Sequence, residues 1–160
     1  KSMLRNKLAV GQPEDFTSGR WRPALDDPTI TDASKVERVL LCSGKVRWEL
    51  VKAREKAQLQ DTVAIVTLER LYPLPDEDLA AILERYAHVR DVRFVQDEPE
   101  NQGPWPFMAL HLASALEAQR PGTTITITPV TRPWSSAPSV GSAGRHAEQE
   151  KYLMRRALED

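Results

Sequence analysis

The chain has 160 residues, 41% of them apolar, and its 22 Lys and Arg nearly cancel 23 Asp and Glu. That length suits one ordinary domain with a core of its own, and the apolar share excludes global disorder. The charge balance argues against a non-specific nucleic-acid or membrane-surface binder, and one cysteine, Cys42, excludes an internal disulfide framework or a cysteine zinc cage.

Lys1-Ser2-Met3-Leu4-Arg5 opens the chain with neither a signal peptide's apolar stretch nor an initiator-like start. The chain therefore reads as a piece of a longer one. No apolar run approaches the ~18 residues of a membrane span. A lone thiol fits a reducing cytoplasm. Residues 1–36 are polar and broken by Pro13, Pro23 and Pro28, with Gly11 and Gly19. They are predicted to form an extended lead-in arm or linker, pinned to a partner surface by Phe16 and Trp21, because an ordered arm needs contacts to offset its backbone entropy.

Residues 37–160 are predicted as the domain proper. Val39-Leu40-Leu41-Cys42-Ser43 is a short apolar run stopped by Gly44, a buried strand and turn. From Lys45 to Gln60 the period changes. Val46, Leu50, Ala53 and Ala57 share one helical face, with Arg and Lys on the other. Thr62 to Leu68 is a second strand, rich in β-branched residues. After Leu71-Tyr72-Pro73-Leu74-Pro75, the acidic first turn Asp76-Glu77-Asp78 opens a helix with Leu79, Ile82, Leu83 and Tyr86 on one stripe. Val92 to Asp97 is a third strand. A loop from Glu98 to Pro104 leads to a helix near Pro106 with Met108, Leu112 and Ala115 as its stripe. Thr123 to Thr128 is the fourth strand, Pro129 to Gly144 an irregular loop, and His146 to Leu158 a closing helix with Leu153, Met154, Ala157 and Leu158 inward. Four alternations of strand and helix predict an α/β fold: a mostly parallel sheet of about four to five strands with helices on both faces.

Sites in such sheets gather at the carboxyl ends of the strands. Ser43-Gly44-Lys45 there offers helix amides to an anion, with Ser43 as a plain helix cap the favoured reading. Asp97, Glu98 and Glu100 could hold magnesium or move protons, but their spacing matches no metal loop, and a solvated or interface loop is favoured. Pro104-Trp105-Pro106-Phe107 is predicted to be a rigid apolar bulge that packs on another chain or domain. His88, His111 and His146 have no partner at metal-ligand spacing. His88 is expected at the surface and His146 in capping or packing. Cys42 is expected to be a buried, inert thiol. Lys45, Arg47, Arg132 and Arg145 could gather near strand ends as an anion cradle. No catalytic set can be built, which points to a domain that serves a larger machine.

Several phrases together resemble one family. They are Lys1 to Arg5, Leu41-Cys42-Ser43-Gly44-Lys45-Val46, Ala64-Ile65-Val66 and Glu69 to Pro75. With them stand Gln96-Asp97-Glu98-Pro99-Glu100-Asn101-Gln102-Gly103 followed by Trp105-Pro106, and Ser136-Ala137-Pro138, Gly141-Ser142 and His146 with Glu148-Gln149. They resemble the end of the thiamine-diphosphate-dependent decarboxylase component of 2-oxoglutarate dehydrogenase, a transketolase-like family, over essentially the whole chain. The resemblance implies a transketolase C-terminal-domain-like fold in a homodimeric enzyme of the tricarboxylic acid cycle. It implies that thiamine diphosphate and magnesium are bound by upstream catalytic domains, so this chain alone is inactive and carries no catalytic, cofactor or metal residue. It further implies a succinyltransferase component as partner, no nucleic acid or membrane, and an acetyl-coenzyme A or AMP effector site nearby in some members. Arg47 and Trp48 stand where the family usually has tyrosines, Gly144 where many members have lysine, and Pro104 where many have alanine.

The expected role is a structural, dimer-interface domain with Phe16, Trp21, Asn101, Gln102, Trp105, Phe107 and His146 at its docking surfaces. The alternatives are an effector-binding module built on Lys45, Arg47, Arg132 and Arg145, or a free-standing α/β interaction domain.

Overall fold

A computed structural model describes residues 3–122 and 124–159. Lys1, Ser2 and the first residue of the strand expected over Thr123–Thr128 lie outside the described residues. Short 3-10 turns at Met3–Arg5 and Lys7–Ala9 precede a one-turn helix α1 (Glu14–Thr17). The body then runs β1 (Ala24–Leu25), β2 (Arg38–Cys42), α2 (Val46–Lys56), β3 (Val63–Leu68), α3 (Asp76–Glu84), β4 (Asp91–Pro99), α4 (Trp105–Gln119), β5 (Ile127–Arg132) and α5 (Ala143–Leu158).

The five strands form one sheet in the order β1-β3-β2-β4-β5. All neighbours are parallel except β1, which pairs antiparallel with β3 through Ala24–Leu68 and Leu25–Thr67. The expected α/β class with helices on both faces is what the chain adopts. β2 and β3 are apolar on both faces because both faces are covered. Val39, Leu41, Ala64, Val66 and Phe94 pack with Leu79 and Leu83 of α3 and Met108, Leu112 and Leu116 of α4. Leu40, Cys42, Ile65, Val95 and Val130 pack with Val46 and Leu50 of α2 and Leu153 and Ala157 of α5. Each such side chain contributes about 1.5–3 kcal/mol by leaving water. Cys42 is fully buried, and burial pushes its thiol up to about 12, the inert state expected of it.

Four local expectations need correction. The last strand is Ile127–Arg132, so it runs through Pro129 into the stretch expected to be irregular. β5 lies at the sheet edge, where a missing amide is tolerated. α2 stops at Lys56 because Gln58 turns left-handed (φ 58°), and Ala57 is exposed. The cationic side of α2 is not wholly solvated: Arg54 is buried, facing Asp27. Leu116, rather than Ala115, is the deepest residue at the end of the α4 stripe.

Two clasps hold the segment before β2 against the body. Buried Asp27 pairs with Arg54 of α2. Asp26 accepts from the Tyr86 hydroxyl at 2.7 Å and pairs with Arg85. At the opposite end of the sheet, Arg38 donates to the Ala157 carbonyl at 3.2 Å and Arg93 to that of Arg156. Two guanidinium groups thus cap the C-terminus of α5, where cations suit the helix dipole. Asp91 balances both, at 2.6 Å from Arg38 and 2.7 Å from Arg93. Burial pushes the Asp91 carboxyl up, but hydrogen bonds from Arg93 and Arg38 outweigh it and hold the group below its ordinary value.

Candidate functional site

The carboxyl ends of β4 and β5 carry a polar network with Gln96 as its hub. It stands in β4 after four buried residues and is itself only 2% exposed. Its amide nitrogen donates to the carbonyls of Pro99 at 2.9 Å, Gln102 at 2.8 Å and Glu98 at 3.3 Å. Its oxygen accepts from the backbone N–H of Trp105 at 2.7 Å. One side chain therefore closes the loop from Glu98 to Pro104 and satisfies an amide at the start of α4 that no intrahelical carbonyl can reach. Gly103 completes the loop. Its φ is +64°, and a Cβ there would stand 3.0 Å from the Glu98 side chain.

Asn101 and Gln102 reach from this loop to the segment after β5. Asn101 donates to the Ser135 carbonyl at 2.9 Å and accepts from the Ser135 amide at 3.1 Å. Gln102 donates to the same carbonyl at 2.8 Å. Both amide side chains are thus spent inside the domain. The expected apolar bulge is also different in kind. Trp105-Pro106-Phe107 is the first turn of α4, where proline costs no hydrogen bond. Trp105 is half-buried, with its ring 5.9 Å from that of Phe94. Phe107 packs between Tyr72 at 6.1 Å and His111 at 4.7 Å.

The four cations of the expected cradle separate into two kinds. Arg132 is buried and grips the Asp97 carboxylate at 2.5 Å and its carbonyl at 2.6 Å, and donates to Gln149 at 3.1 Å. Lys45 pairs with Glu49 and lies 3.5 Å from Asp97. Burial pushes the Asp97 carboxyl up, but Arg132 and Lys45 outweigh it and keep the group below the usual carboxylate range. Burial likewise disfavours the charge on Lys45, and Glu49 and Asp97 reverse that to leave it raised. The other two are not balanced this way. Arg47 lies 5.0 Å over the Trp48 ring with a buried Nε that has no partner. Arg145 is exposed on α5 and, with Arg132, Ser135 and Gln149, lines a cavity of about 170 Å³.

Ser43 caps nothing. The residue before α2 is Lys45, and a left-handed Gly44 (φ 72°) turns the chain first. His146 is half-exposed in the first turns of α5, 4.0 Å from Glu150, and its carbonyl accepts from Arg132 at 3.4 Å. His88 contacts the Val36 carbonyl at 3.0 Å. Phe16 and Trp21 are 83% and 62% exposed and make no ring contact among the described residues. Among the described residues, no group of three or more His, Cys, Asp or Glu could hold a metal ion, and no helix is long and apolar enough to cross a membrane.

Sequence reasoning quoted Gln96 but gave it no role, and missed the Asp27–Arg54 pair altogether. The signal for Gln96 was a polar residue continuing a strand, Val92 to Val95, that has no solvent face. For Asp27 there was none, because its partner lies on another element.

A family model described as 2-oxoglutarate dehydrogenase C-terminal matches residues 10–158. The chain is 41% identical over 160 residues to a "2-oxoglutarate dehydrogenase E1/E2 component" of Corynebacterium glutamicum, covering 99% of this chain and 13% of that protein. It is 44% identical over 162 residues to a "Multifunctional 2-oxoglutarate metabolism enzyme" of a Mycobacterium species, covering 99% of this chain and 12% of that protein. It is 39% identical over 159 residues to a "2-oxoglutarate dehydrogenase E1 component" of Cupriavidus necator, covering 99% of this chain and 16% of that protein. The chain thus spans only a small part, 12–16%, of the length of these relatives.

Proposed function

The chain belongs to the 2-oxoglutarate dehydrogenase C-terminal family, and from that premise we propose that it is the structural, dimer-building domain of a thiamine-diphosphate-dependent decarboxylase. The parent enzyme would decarboxylate 2-oxoglutarate and pass the succinyl unit to lipoamide on a succinyltransferase component. Its compartment would be the cytoplasm, where a lone thiol stays reduced. The described residues do not fit the cofactor or its magnesium, because the carboxylate best placed at a strand end, Asp97, is already taken by Arg132 and Lys45. Catalysis is therefore assigned to other domains of the protein, and this one supports them.

One observation carries the reading. From Trp105 to Leu116, α4 contains no Asp, Glu, Lys or Arg. Its inner face seats Met108, Leu112 and Leu116 in the core, while its outer face leaves Leu110 75% exposed, near a Tyr72–Phe107 pair whose Tyr72 is 80% exposed. A helix uncharged on every side belongs in a buried setting. Asn101, Gln102 and Trp105 then act from behind this face by fixing the start of α4, and Phe107 contributes to the face itself. Phe16 and Trp21 offer a second contact on the lead-in, and His146 sits at the α5 edge.

The variant that tests this is Leu110→Glu. Leu110 adds nothing to the core, so the domain should melt as before. A charge placed in a desolvated interface should weaken assembly of the full-length enzyme by about a hundredfold. Sedimentation of the full-length protein reads this directly, and unchanged assembly rules the reading out. Trp105→Ala is a poorer test, since that ring rests on Phe94 and its loss would loosen the domain.

A second reading, an effector-binding module, draws on the cavity of about 170 Å³ lined by Arg132 and Arg145. Arg145 has no carboxylate partner among the described residues, so an anion there would meet a free cation. Calorimetry on the full-length enzyme with acetyl-coenzyme A and with AMP is expected to show heat that Arg145→Ala removes if this reading holds. No heat with either leaves the structural role alone.

A further inference from the structure

We propose that the groove between the first turns of the chain and helix α2 is a docking site for an acidic polypeptide segment. One wall is built from the 3-10 turns Met3–Arg5 and Lys7–Ala9, which carry Arg5 and Lys7. The other is one face of α2 with the residue before it, where Lys45, Trp48, Glu49 and Lys52 recur at i, i+3, i+4 and i+7. Together they enclose an open groove of about 500 Å³.

Four cations thus converge on one groove from two separate segments, in a chain whose net charge is −1. Lys45 is already paired with Glu49 and lies 3.5 Å from Asp97, which leaves the other three to set the charge of the groove. Arg5, Lys7 and Lys52 form no ion pair among the described residues. A solvated charged helix face scatters its cations toward water. Facing them across a groove instead raises their mutual repulsion, and an anion between the walls relieves it. The charge therefore defines the sign of the occupant.

The apolar part of the lining defines its class. Met3 and Trp48 both line the groove, and a polyphosphate has no apolar group to set against them, whereas a polypeptide brings apolar side chains as well as carboxylates for the lysines. Those surfaces suit the aliphatic side chains of a peptide. The occupant is thus a segment in which acidic and apolar residues are mixed, and this holds whether or not the chain builds a dimer through α4.

The test uses a labelled synthetic peptide of alternating glutamate and leucine, titrated into the full-length protein and followed by fluorescence anisotropy. Binding is expected, weakening as salt is raised. Lys7→Glu and Lys52→Glu should each lower the affinity about tenfold. Arg90→Glu, in a different cavity lined by Leu83 and Tyr86, should leave it unchanged. Lys7, Lys52 and Arg90 are all exposed, so thermal melting should be the same for every variant. Absent binding, or binding that survives both groove variants, overturns the proposal. So does displacement of the peptide by inorganic tripolyphosphate at lower concentration than by unlabelled peptide, since that would assign the groove to a phosphate ligand.

Discussion

Replacing Asp27 by alanine is expected to cost about 3–5 kcal/mol, a large share of the roughly 5–15 kcal/mol that holds an ordinary domain folded. The side chains of Asp27 and Arg54 are each only 3% exposed. Asp27 accepts from the Thr29 hydroxyl at 2.7 Å, the Thr29 amide at 3.0 Å and the Ile65 amide at 2.8 Å, besides Arg54. Arg54 also donates to the Val63 carbonyl at 2.7 Å and to the Thr29 hydroxyl at 2.9 Å. The pair therefore joins the lead-in, α2 and β3 at a single point. Alanine at position 27 leaves a guanidinium buried with no counter-charge. Removing both charges together, as Asp27→Leu with Arg54→Met, should cost clearly less than Asp27→Ala alone, because two apolar side chains carry no desolvation penalty. Urea unfolding of the three proteins measures this. A loss below about 1 kcal/mol for Asp27→Ala would show that the pair is only a surface-like contact.

The same carboxyl sets the acid limit. Burial pushes Asp27 up, but hydrogen bonds from Thr29 and the Ile65 amide, with Arg54 beside it, outweigh burial and hold it below its ordinary value. Asp91 and Asp97 move in the same direction. A carboxyl lowered in the folded state stabilises fully above its unfolded value of about 4. That contribution is lost as pH falls through the folded value. Stability should therefore be flat near neutrality and fall on the acid side of about pH 4, with a shallower fall in Asp27→Asn.

Gln96→Leu is the second large effect, about 2–4 kcal/mol. Leucine keeps the volume but removes every polar contact of the hub. The Trp105 amide loses its acceptor and the carbonyls of Pro99 and Gln102 lose their donor, all in a part-buried setting. The helix start and the loop from Glu98 to Pro104 should loosen together. Hydrogen exchange should speed at Gln102 and Trp105, whose amides are bonded to Pro99 and Gln96, while the amides of β2 and β3 stay protected. A variant that melts and exchanges like the natural protein would mean that the loop is held by its backbone alone. Because this hub positions α4, Gln96→Leu should also weaken assembly in the full-length enzyme, whereas Leu110→Glu weakens assembly without softening the loop.

The strands and helices were legible where burial follows a local period. β2 and β3 read as uninterrupted apolar runs because helices cover both sides of the sheet. The α3 stripe, Leu79, Ile82, Leu83 and Tyr86, read correctly for the same reason: one face of that helix meets the core. The period failed where position in the sheet overrode composition. Pro129 looked like the start of an irregular loop, but an edge strand accommodates it. Pro106 was read both as the start of a helix and as part of a bulge, and the helix is what forms, because its first turn needs no amide there.

The candidate site was legible as residue types and not as roles. Asn101 and Gln102 were expected at a docking surface, and nothing along the chain signalled that both also hold Ser135 within the domain. Lys45 and Arg132 were grouped in an anion cradle at the strand ends, and Asp97 links both.

By itself the sequence determined the α/β class, the helix and strand succession, the inert thiol and the family, because each of these is written in local periodicity or in ordered phrases along the chain. Only the tertiary structure decided which charges are spent and which are free. Asp27 meets Arg54 across 27 residues, and Asp97 meets Arg132 across 35. The worth of a charge depends on the dielectric and the partner around it, and both are set by elements that are neighbours in space alone.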